Sequence, residues 1–147
     1  MKIFTIGFTQ TTAREFFERL RAARIERVLD VRLNNSSQLA GFAKANDLPY
    51  FLDALLGAGY EHEPRLAPTP ELLAAGRNAK TTEAWQRFER EFLKLMRDRA
   101  VQDALAMSSF RKRTALLCSE PTPEHCHRRL VATYLSEHWP DVSIVDL

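Results

Sequence analysis

Apolar positions along this chain follow two different periods, and the changes of period mark its elements. Runs of adjacent apolar residues at 2–6, 27–31, 114–118 and 142–145 are typical of buried strands. Between these runs, apolar residues recur every three or four positions, which is typical of helices that bury one face. Strands alternating with helices predict an α/β fold, with a mostly parallel sheet of about four to five strands covered by helices on both faces.

Helix starts are marked by capping residues. Thr12 and Glu15 form a capping-box pattern, in which each side chain satisfies a free N–H group at the start of a helix. The tripeptides Thr69-Pro70-Glu71 and Thr122-Pro123-Glu124 each place a cap and a proline where further helices would begin. The other expected elements are a helix at 47–56, the longest helix at about 83–107, a helix from Thr122 to about Trp139, a short strand at Tyr60-Glu61-His62, and a long polar connection at 32–45.

Length and composition restrict the class of protein. The chain has 147 residues, 45% hydrophobic, with a formal net charge of +2, so we expect one α/β domain over residues 1–147. No apolar run approaches the length of about 18 residues that spans a membrane, so a membrane protein is not expected. Two cysteines are too few for a disulfide-rich secreted domain. We therefore expect a cytoplasmic protein with reduced thiols.

Polar residues follow the predicted strands where ligands bind in open α/β sheets, outside the carboxyl ends. Asp30 and Arg32 are two positions apart and therefore point to the same side of their strand. Cys118, Ser119 and Glu120 end the strand that precedes the last helix. The N–H groups expected at the start of that helix, at 121–124, would favour an anion and lower the pKa of a nearby thiol.

His127 is a polar residue in the middle of the predicted buried face of the last helix, with Cys126 and Arg128 at the edges of that face. A buried polar group needs a partner, and the candidates are Cys118, Glu120 and Asp30. Structural interpretations stay open: Cys118 as a small buried apolar residue, His127 bonded to a backbone carbonyl, and Asp30 with Arg32 as an ion pair that orders a loop.

Known sequence motifs for cofactor, metal and nucleic-acid binding narrow the function little further. The chain has no C-x-x-C pair, no G-x-G-x-x-G and no P-loop, and no cofactor is indicated. Cys118, Cys126 and His127, with His62 as a fourth ligand, match no familiar zinc spacing, so no metal is predicted. The basic triplet at 111–113 lies at the opposite edge of the sheet from the strand ends, and it gives only weak support for nucleic acid.

Four motifs in order along the chain resemble one known family. Thr5-Ile6-Gly7, Asp30-Val31-Arg32, Tyr60-Glu61-His62, and Cys118-Ser119-Glu120 with Cys126-His127-Arg128 are similar to the domain of unknown function 488 family, and the stretch 33–44 resembles one subgroup. The resemblance spans nearly the whole chain. It implies a compact α/β fold and no established activity. It also implies a motif cluster of Asp30, Arg32, Tyr60, His62, Cys118, Glu120, Cys126, His127 and Arg128.

Three functions fit these residues. The first is an enzyme acting on a small anionic or nucleotide-like substrate, with Cys118 as nucleophile, His127 as general base or acid, and Asp30 or Glu120 as its orienting partner. In the second, the same pocket binds a nucleotide or nucleic-acid end without chemistry, and in the third the polar cluster serves a structural or partner-binding protein. The anion-binding candidates are Arg32, Arg128, Tyr60, His62 and Ser119. The sequence does not determine the oligomeric state.

Overall fold

A computed structural model describes residues 1–36 and 40–147, and it contains one sheet whose strands alternate with helices. The strands are β1 (Lys2–Gly7), β2 (Arg27–Asp30), β3 (Gly59–His62), β4 (Thr114–Cys118) and β5 (Ser143–Asp146). The helices are α1 (Ala13–Ala22), α2 (Leu48–Leu56), α3 (Pro70–Arg77), α4 (Thr82–Asp98), α5 (Val101–Ala104) and α6 (His127–His138). Residues 37–39 of the polar connection predicted at 32–45, which are also part of the stretch compared with a subgroup, lie outside the described residues.

The five strands are all parallel, in the order β3-β2-β4-β1-β5. This arrangement confirms the predicted α/β fold with a parallel sheet. The register pairs Gly7 with Cys118 and Asp30 with Leu117. Because parallel strands end at the same edge of a sheet, the carboxyl ends of β1, β2 and β4 lie side by side. The polar residues that follow these strands therefore share one edge.

Helices cover both faces of the sheet, as predicted. One apolar layer includes Phe16 and Leu20 of α1 and Leu48 and Leu52 of α2. The opposite layer includes residues of α4 and α6, among them Phe88, Phe92, Met96, Val131 and Leu135, together with Leu116 and Cys118 of β4. Successive residues of a strand face opposite layers, so Cys118 points toward α4 and α6. Within the described ranges, no helix is long and apolar enough to cross a bilayer.

The helix predicted at about 83–107 is shorter than expected. It begins at Thr82, where Thr81 accepts a hydrogen bond from the N–H of Ala84, and it ends at Asp98. Ala100 then adopts a left-handed conformation, with φ of +47°, before the short helix α5. No glycine or proline marks this break, so the apolar period alone overestimated the length of α4.

The prediction that the last helix begins at Thr122 is also wrong. Helix α6 begins at His127, with Cys126 at the capping position. Pro121 and Pro123 carry no N–H group, and His125 adopts a left-handed conformation with φ of +55°. Residues 119–126 therefore form a loop, called the Cys loop below. The N–H groups at 121–124 do not form the helix start that was expected there.

Candidate functional site

A cleft of about 600 Å³, part of it open to solvent, lies at the carboxyl edge of β2 and β4. One wall comes from the strand ends and the Cys loop, and it includes Arg32, Cys118, Ser119, Glu120, Cys126 and His127. The opposite wall comes from α3 and α4, and it includes Leu73, Gly76, Arg77, Trp85 and Phe88. Most of the residues predicted from the strand ends therefore line one cleft, at the edge of the sheet where ligands of such folds bind.

Cys118 is the last residue of β4, is only 5% exposed, and lines the cleft. A hydrogen bond from the thiol of Cys126 lowers the pKa of Cys118, against the effect of burial. The backbone N–H groups of Ser119 and Glu120 and the charge of Arg128 lower this pKa further. Cys118 is therefore more readily ionised than an ordinary cysteine, and its thiolate is the nucleophilic form.

Cys126 occupies the capping position of α6 and is also buried and reduced. The hydrogen bond to Cys118 and burial both raise the pKa of Cys126 well above its usual range. Its sulfur also lies 3.8 Å from Nη1 of Arg128, which donates toward it. The two thiols thus differ, since the pKa of Cys118 is lowered while that of Cys126 is raised.

His127 is the first residue of α6, and its ring is held by the backbone. Nε2 donates a hydrogen bond to the carbonyl oxygen of Val31 at 2.8 Å, which leaves Nδ1 as the other nitrogen. The sulfur of Cys118 lies 3.6 Å from Nδ1 and 3.9 Å from Nε2, so it sits alongside the ring. The ring also packs on Phe92, with 5.6 Å between ring centres. A backbone carbonyl, and neither carboxylate named from the sequence, therefore orients this imidazole.

Asp30 and Arg32 form a buried ion pair. Nε of Arg32 donates to Oδ1 of Asp30 at 2.8 Å, and Nη2 donates to Oδ2 at 2.7 Å and to the carbonyl of Ala43 at 2.7 Å. The guanidinium also lies 5.0 Å from the ring centre of Phe8. Its third nitrogen, Nη1, is buried and has no hydrogen-bond partner among the described residues. Because Arg32 lines the cleft, this nitrogen is suited to an anionic ligand.

Tyr60 and His62 of β3 support this ion pair from behind and do not line the cleft. The hydroxyl of Tyr60 donates to Oδ2 of Asp30 at 2.7 Å. Burial and this hydrogen bond raise the pKa of Tyr60, so the phenol stays protonated. Nε2 of His62 donates to the carbonyl of Arg32 at 2.7 Å. In this arrangement, both residues hold Asp30 and Arg32 in place.

The Cys loop is anchored by its carbonyl groups. The carbonyl of Ser119 accepts hydrogen bonds from the N–H group of Thr9 at 3.1 Å and from its hydroxyl at 2.7 Å. The carbonyl of Glu120 accepts a short hydrogen bond from Nη1 of Arg128. The Glu120 residue is exposed at the rim of the cleft, and no hydrogen bond joins it to His127 within the described ranges.

Arg128 is almost fully buried and does not line the cleft. Besides Glu120 and Cys126, it contacts Thr5 of β1, whose hydroxyl accepts from Nε at 3.4 Å and donates to Oδ1 of Asp146. Space beside this guanidinium is tight, because a Cβ added at Gly7 would lie 1.6 Å from the Glu120 oxygen. Arg128 therefore positions the Cys loop. Thr5 and Gly7 belong to the Thr5-Ile6-Gly7 motif noted in the sequence. The sequence analysis did not predict that Thr5 would contact Arg128 or that Gly7 would lie against Glu120.

Three residues of the outer wall were not among the sequence candidates. Arg77 is exposed at the rim, and it forms no hydrogen bond or ion pair with the described residues. Trp85 and Phe88 stack with 4.8 Å between ring centres, and Trp85 also lies 4.8 Å from the ring of His125. The apolar stripe of α4 identified both aromatic residues, but only the packing of α3 and α4 over the strand ends brings them to the cleft.

Three of the four metal ligands considered from the sequence lie together. The sulfurs of Cys118 and Cys126 and a ring nitrogen of His127 are all within 4.8 Å of one another, while His62 lies behind Arg32. Thiol and imidazole donors are types that soft metal ions prefer. However, the Cys118 sulfur lies alongside the imidazole, away from the axis on which Nδ1 would bind an ion. The arrangement therefore fits a metal only after the ring or the thiol rotates.

Comparison with known proteins places the chain in a family. No curated protein and no solved structure matches it. One family model, described as a domain of unknown function, matches residues 12–135, which is well over half of the chain. This match covers the carboxyl ends of β2, β3 and β4, the Cys loop and most of α6. The chain therefore belongs to the DUF488 family.

Proposed function

We propose that this protein is a thiol-dependent enzyme in which Cys118 attacks a small anionic substrate bound in the cleft. The observation that carries the proposal is a buried thiol with a lowered pKa in a cleft that Arg32 also lines, and Nη1 of Arg32 has no hydrogen-bond partner among the described residues. A buried thiol with an ordinary role in the core has no need of hydrogen-bond donors that stabilise its thiolate.

The cleft offers positive charge at two depths. Arg32, which is buried, and Arg77, which is exposed, both line it. The Asp30 carboxylate fixes Arg32 bidentately, so the Arg32 guanidinium is already oriented before a ligand arrives. The stacked rings of Trp85 and Phe88 add an apolar wall. These features favour a small anion with a flat or apolar part, which includes nucleotide-like molecules.

The proposed chemistry uses the thiol and the imidazole together. The Cys118 thiolate forms a bond to the electrophilic atom of the substrate, and the leaving group departs with the bonding electron pair. Nδ1 of His127 is the ring nitrogen not engaged with Val31, and it would exchange a proton with the thiol or the leaving group. Such a reaction needs both cysteines reduced, as they are in this structure, which suits the cytoplasm.

The first test is the pH dependence of alkylation at Cys118 and Cys126, followed separately by mass spectrometry of peptides. Cys118 should react with half-maximal rate below about pH 8.5, the value of an ordinary thiol. Cys126 is the internal control, because its raised pKa should keep it unreactive over the same range. We expect His127→Ala to slow alkylation of Cys118. Equal and negligible reactivity of both thiols in the folded protein would rule out the proposal.

A second candidate is a binding protein that holds the same anion without chemistry. It is favoured by Nη1 of Arg32, which has no hydrogen-bond partner among the described residues and could be satisfied by a bound anion without any reaction. Cys118→Ser would then leave ligand affinity and cellular function unchanged, whereas Arg32→Ala would remove both. In the enzyme, Cys118→Ser abolishes turnover while the anion still binds, so this pair of variants separates the two functions.

A further inference from the structure

Two reduced cysteines face each other at the base of the cleft. Cys118 ends β4 and Cys126 precedes α6, and their sulfurs lie within 4.8 Å of each other. We propose that Cys126 is the resolving thiol for Cys118, and that the substrate of this pair is a small, negatively charged disulfide. The inference rests on the proposed function, because Cys118 must first act as a nucleophile.

The two steps balance without a metal or cofactor. The Cys118 thiolate forms a bond to one sulfur of the substrate, the substrate S–S bond breaks, and the first substrate thiolate leaves with the electron pair. Cys126 gives its proton to the released substrate thiolate, its thiolate attacks the Cys118 sulfur, the second substrate thiolate leaves, and a Cys118–Cys126 disulfide remains. The substrate is reduced to two thiols while the cysteine pair is oxidised. A thiol reductant that reopens the protein disulfide would complete a cycle.

The environment of Cys126 changes in the direction that the second step needs. In the reduced protein, the Cys118 sulfur keeps the Cys126 thiol protonated and hydrogen-bonded. After the first step that sulfur is bonded to the substrate and has lost its negative charge. Nη1 of Arg128 still lies 3.8 Å from the Cys126 sulfur, and its positive charge then favours the Cys126 thiolate. Formation of the adduct thus removes the contributions of Cys118 that raise the pKa of Cys126, and only burial still opposes ionisation.

The loop between the two cysteines allows them to approach. A disulfide requires about 2.05 Å between the sulfurs, so one of them must move inward. Residues 119–125 lie in no helix or strand, and Cys126 is the capping residue of α6 and lies outside its helical turns. Because the movement is confined to this short loop and its hydrogen bonds, the sheet and α6 need not change.

The negative charge of the substrate follows from the cleft. Arg32 and Arg77 both line it, and among the described residues only Glu120 adds an acidic residue to the lining. A carboxylate on the disulfide would therefore be attracted to the cleft, while a neutral disulfide gains nothing from these charges.

The test uses dithiobis(nitrobenzoate), an anionic disulfide that releases a coloured thiolate, with the wild-type protein, Cys126→Ser and Cys118→Ser. The wild type should release about two coloured thiolates per chain and end as a Cys118–Cys126 disulfide without attached reagent, because the second thiol displaces the adduct. Cys126→Ser keeps a hydroxyl donor beside Cys118, so it should release about one and retain the reagent on Cys118. Cys118→Ser should lose the fast reaction.

The result that overturns the inference is a wild-type protein that retains one or two reagent adducts and forms no internal disulfide. This readout needs only the wild type, so poor folding of a variant does not affect it. Failure of the proposed function looks different, since Cys118 would then form no adduct in any variant. Neutral dithiodipyridine is the control for charge, and a reaction as fast as with the anionic reagent would overturn the proposed substrate class.

Discussion

Arg32 forms an ion pair with Asp30 and also lines the cleft. The spacing of two residues was enough to predict that Asp30 and Arg32 point the same way. The third contact, with the carbonyl of Ala43, could not be predicted from this spacing, because it depends on how the polar connection folds back toward the sheet. Local spacing therefore predicted the Asp30–Arg32 pair. It did not predict that Nη1 of Arg32 would lack a hydrogen-bond partner among the described residues.

Substitution of Arg32 should affect stability and reactivity separately. Arg32→Ala leaves the Asp30 charge buried without its counter-ion, so we expect the free energy of unfolding to fall by about 3–5 kcal/mol in chemical denaturation. Arg32→Lys retains a positive charge near Asp30 but loses the guanidinium fork. The lysine variant should slow the reaction of Cys118 with the anionic disulfide and leave the neutral disulfide unaffected. If Cys118 reacts more slowly with both disulfides by the same factor, Arg32 does not bind the anion.

At the level of elements, the same sequence signal has two outcomes. Thr69-Pro70-Glu71 begins α3, and Thr69 accepts a hydrogen bond from the N–H group of Leu72 as a capping residue should. Thr122-Pro123-Glu124 looks identical in kind but begins no helix. There, the left-handed His125 and the hydrogen bond from Cys126 N–H to the carbonyl of Pro123 hold a turn. Tertiary contacts of the Cys loop with Arg128 override the local preference for a helix.

The closeness of β1 to the Cys loop gives a prediction for Gly7. A Cβ at this position would meet the Glu120 oxygen at 1.6 Å and Arg128 Nη1 at 2.8 Å, so Gly7→Ala must displace the loop. We expect a loss of about 1–3 kcal/mol in stability. We also expect the alkylation midpoint of Cys118 to move to higher pH, since the N–H groups of the loop would no longer face the thiolate.

The matched control for this substitution is Gly59→Ala. Gly59 is also a strand glycine, but an added Cβ there would meet only the Glu26 oxygen, at an ordinary 4.0 Å. This control should leave the Cys118 alkylation profile unchanged. If Gly7→Ala and Gly59→Ala behave alike, β1 does not position the loop.

For the whole molecule, the order of apolar and polar segments predicted the parallel sheet and its two covering layers. It also placed Cys118 and His127 near one edge of the sheet. The outer wall of the cleft was not predictable in the same way. Arg77 and Trp85 reach it only because α3 and α4 cross the carboxyl edge, and no local pattern specifies the angle at which those helices pack.

Substitutions in the two apolar layers should lower the free energy of unfolding by similar amounts. Only a substitution in the layer that contacts His127 should change the reactivity of Cys118. Phe92 and Leu20 are both fully buried, in the α4/α6 layer and the α1/α2 layer respectively. Phe92→Ala should cost about 3–5 kcal/mol and Leu20→Ala about 2–5 kcal/mol. Only Phe92 contacts His127, so only Phe92→Ala should alter the alkylation rate of Cys118 under conditions where both variants remain folded. If both variants change the alkylation rate of Cys118 by the same factor, the contact of Phe92 with His127 does not influence the thiol.

Arg128 donates hydrogen bonds to the carbonyl of Glu120 and to the hydroxyl of Thr5, and Thr5 in turn donates to Asp146 of the last strand. During synthesis on the ribosome, β1, β4 and the Cys loop emerge before β5, so this connection closes only after residue 146 has left the exit tunnel. A nascent chain halted before that point would carry both cysteines without the full set of contacts that holds Arg128. The contacts that hold Arg128 are therefore complete only after β5 has been synthesised and has joined the sheet.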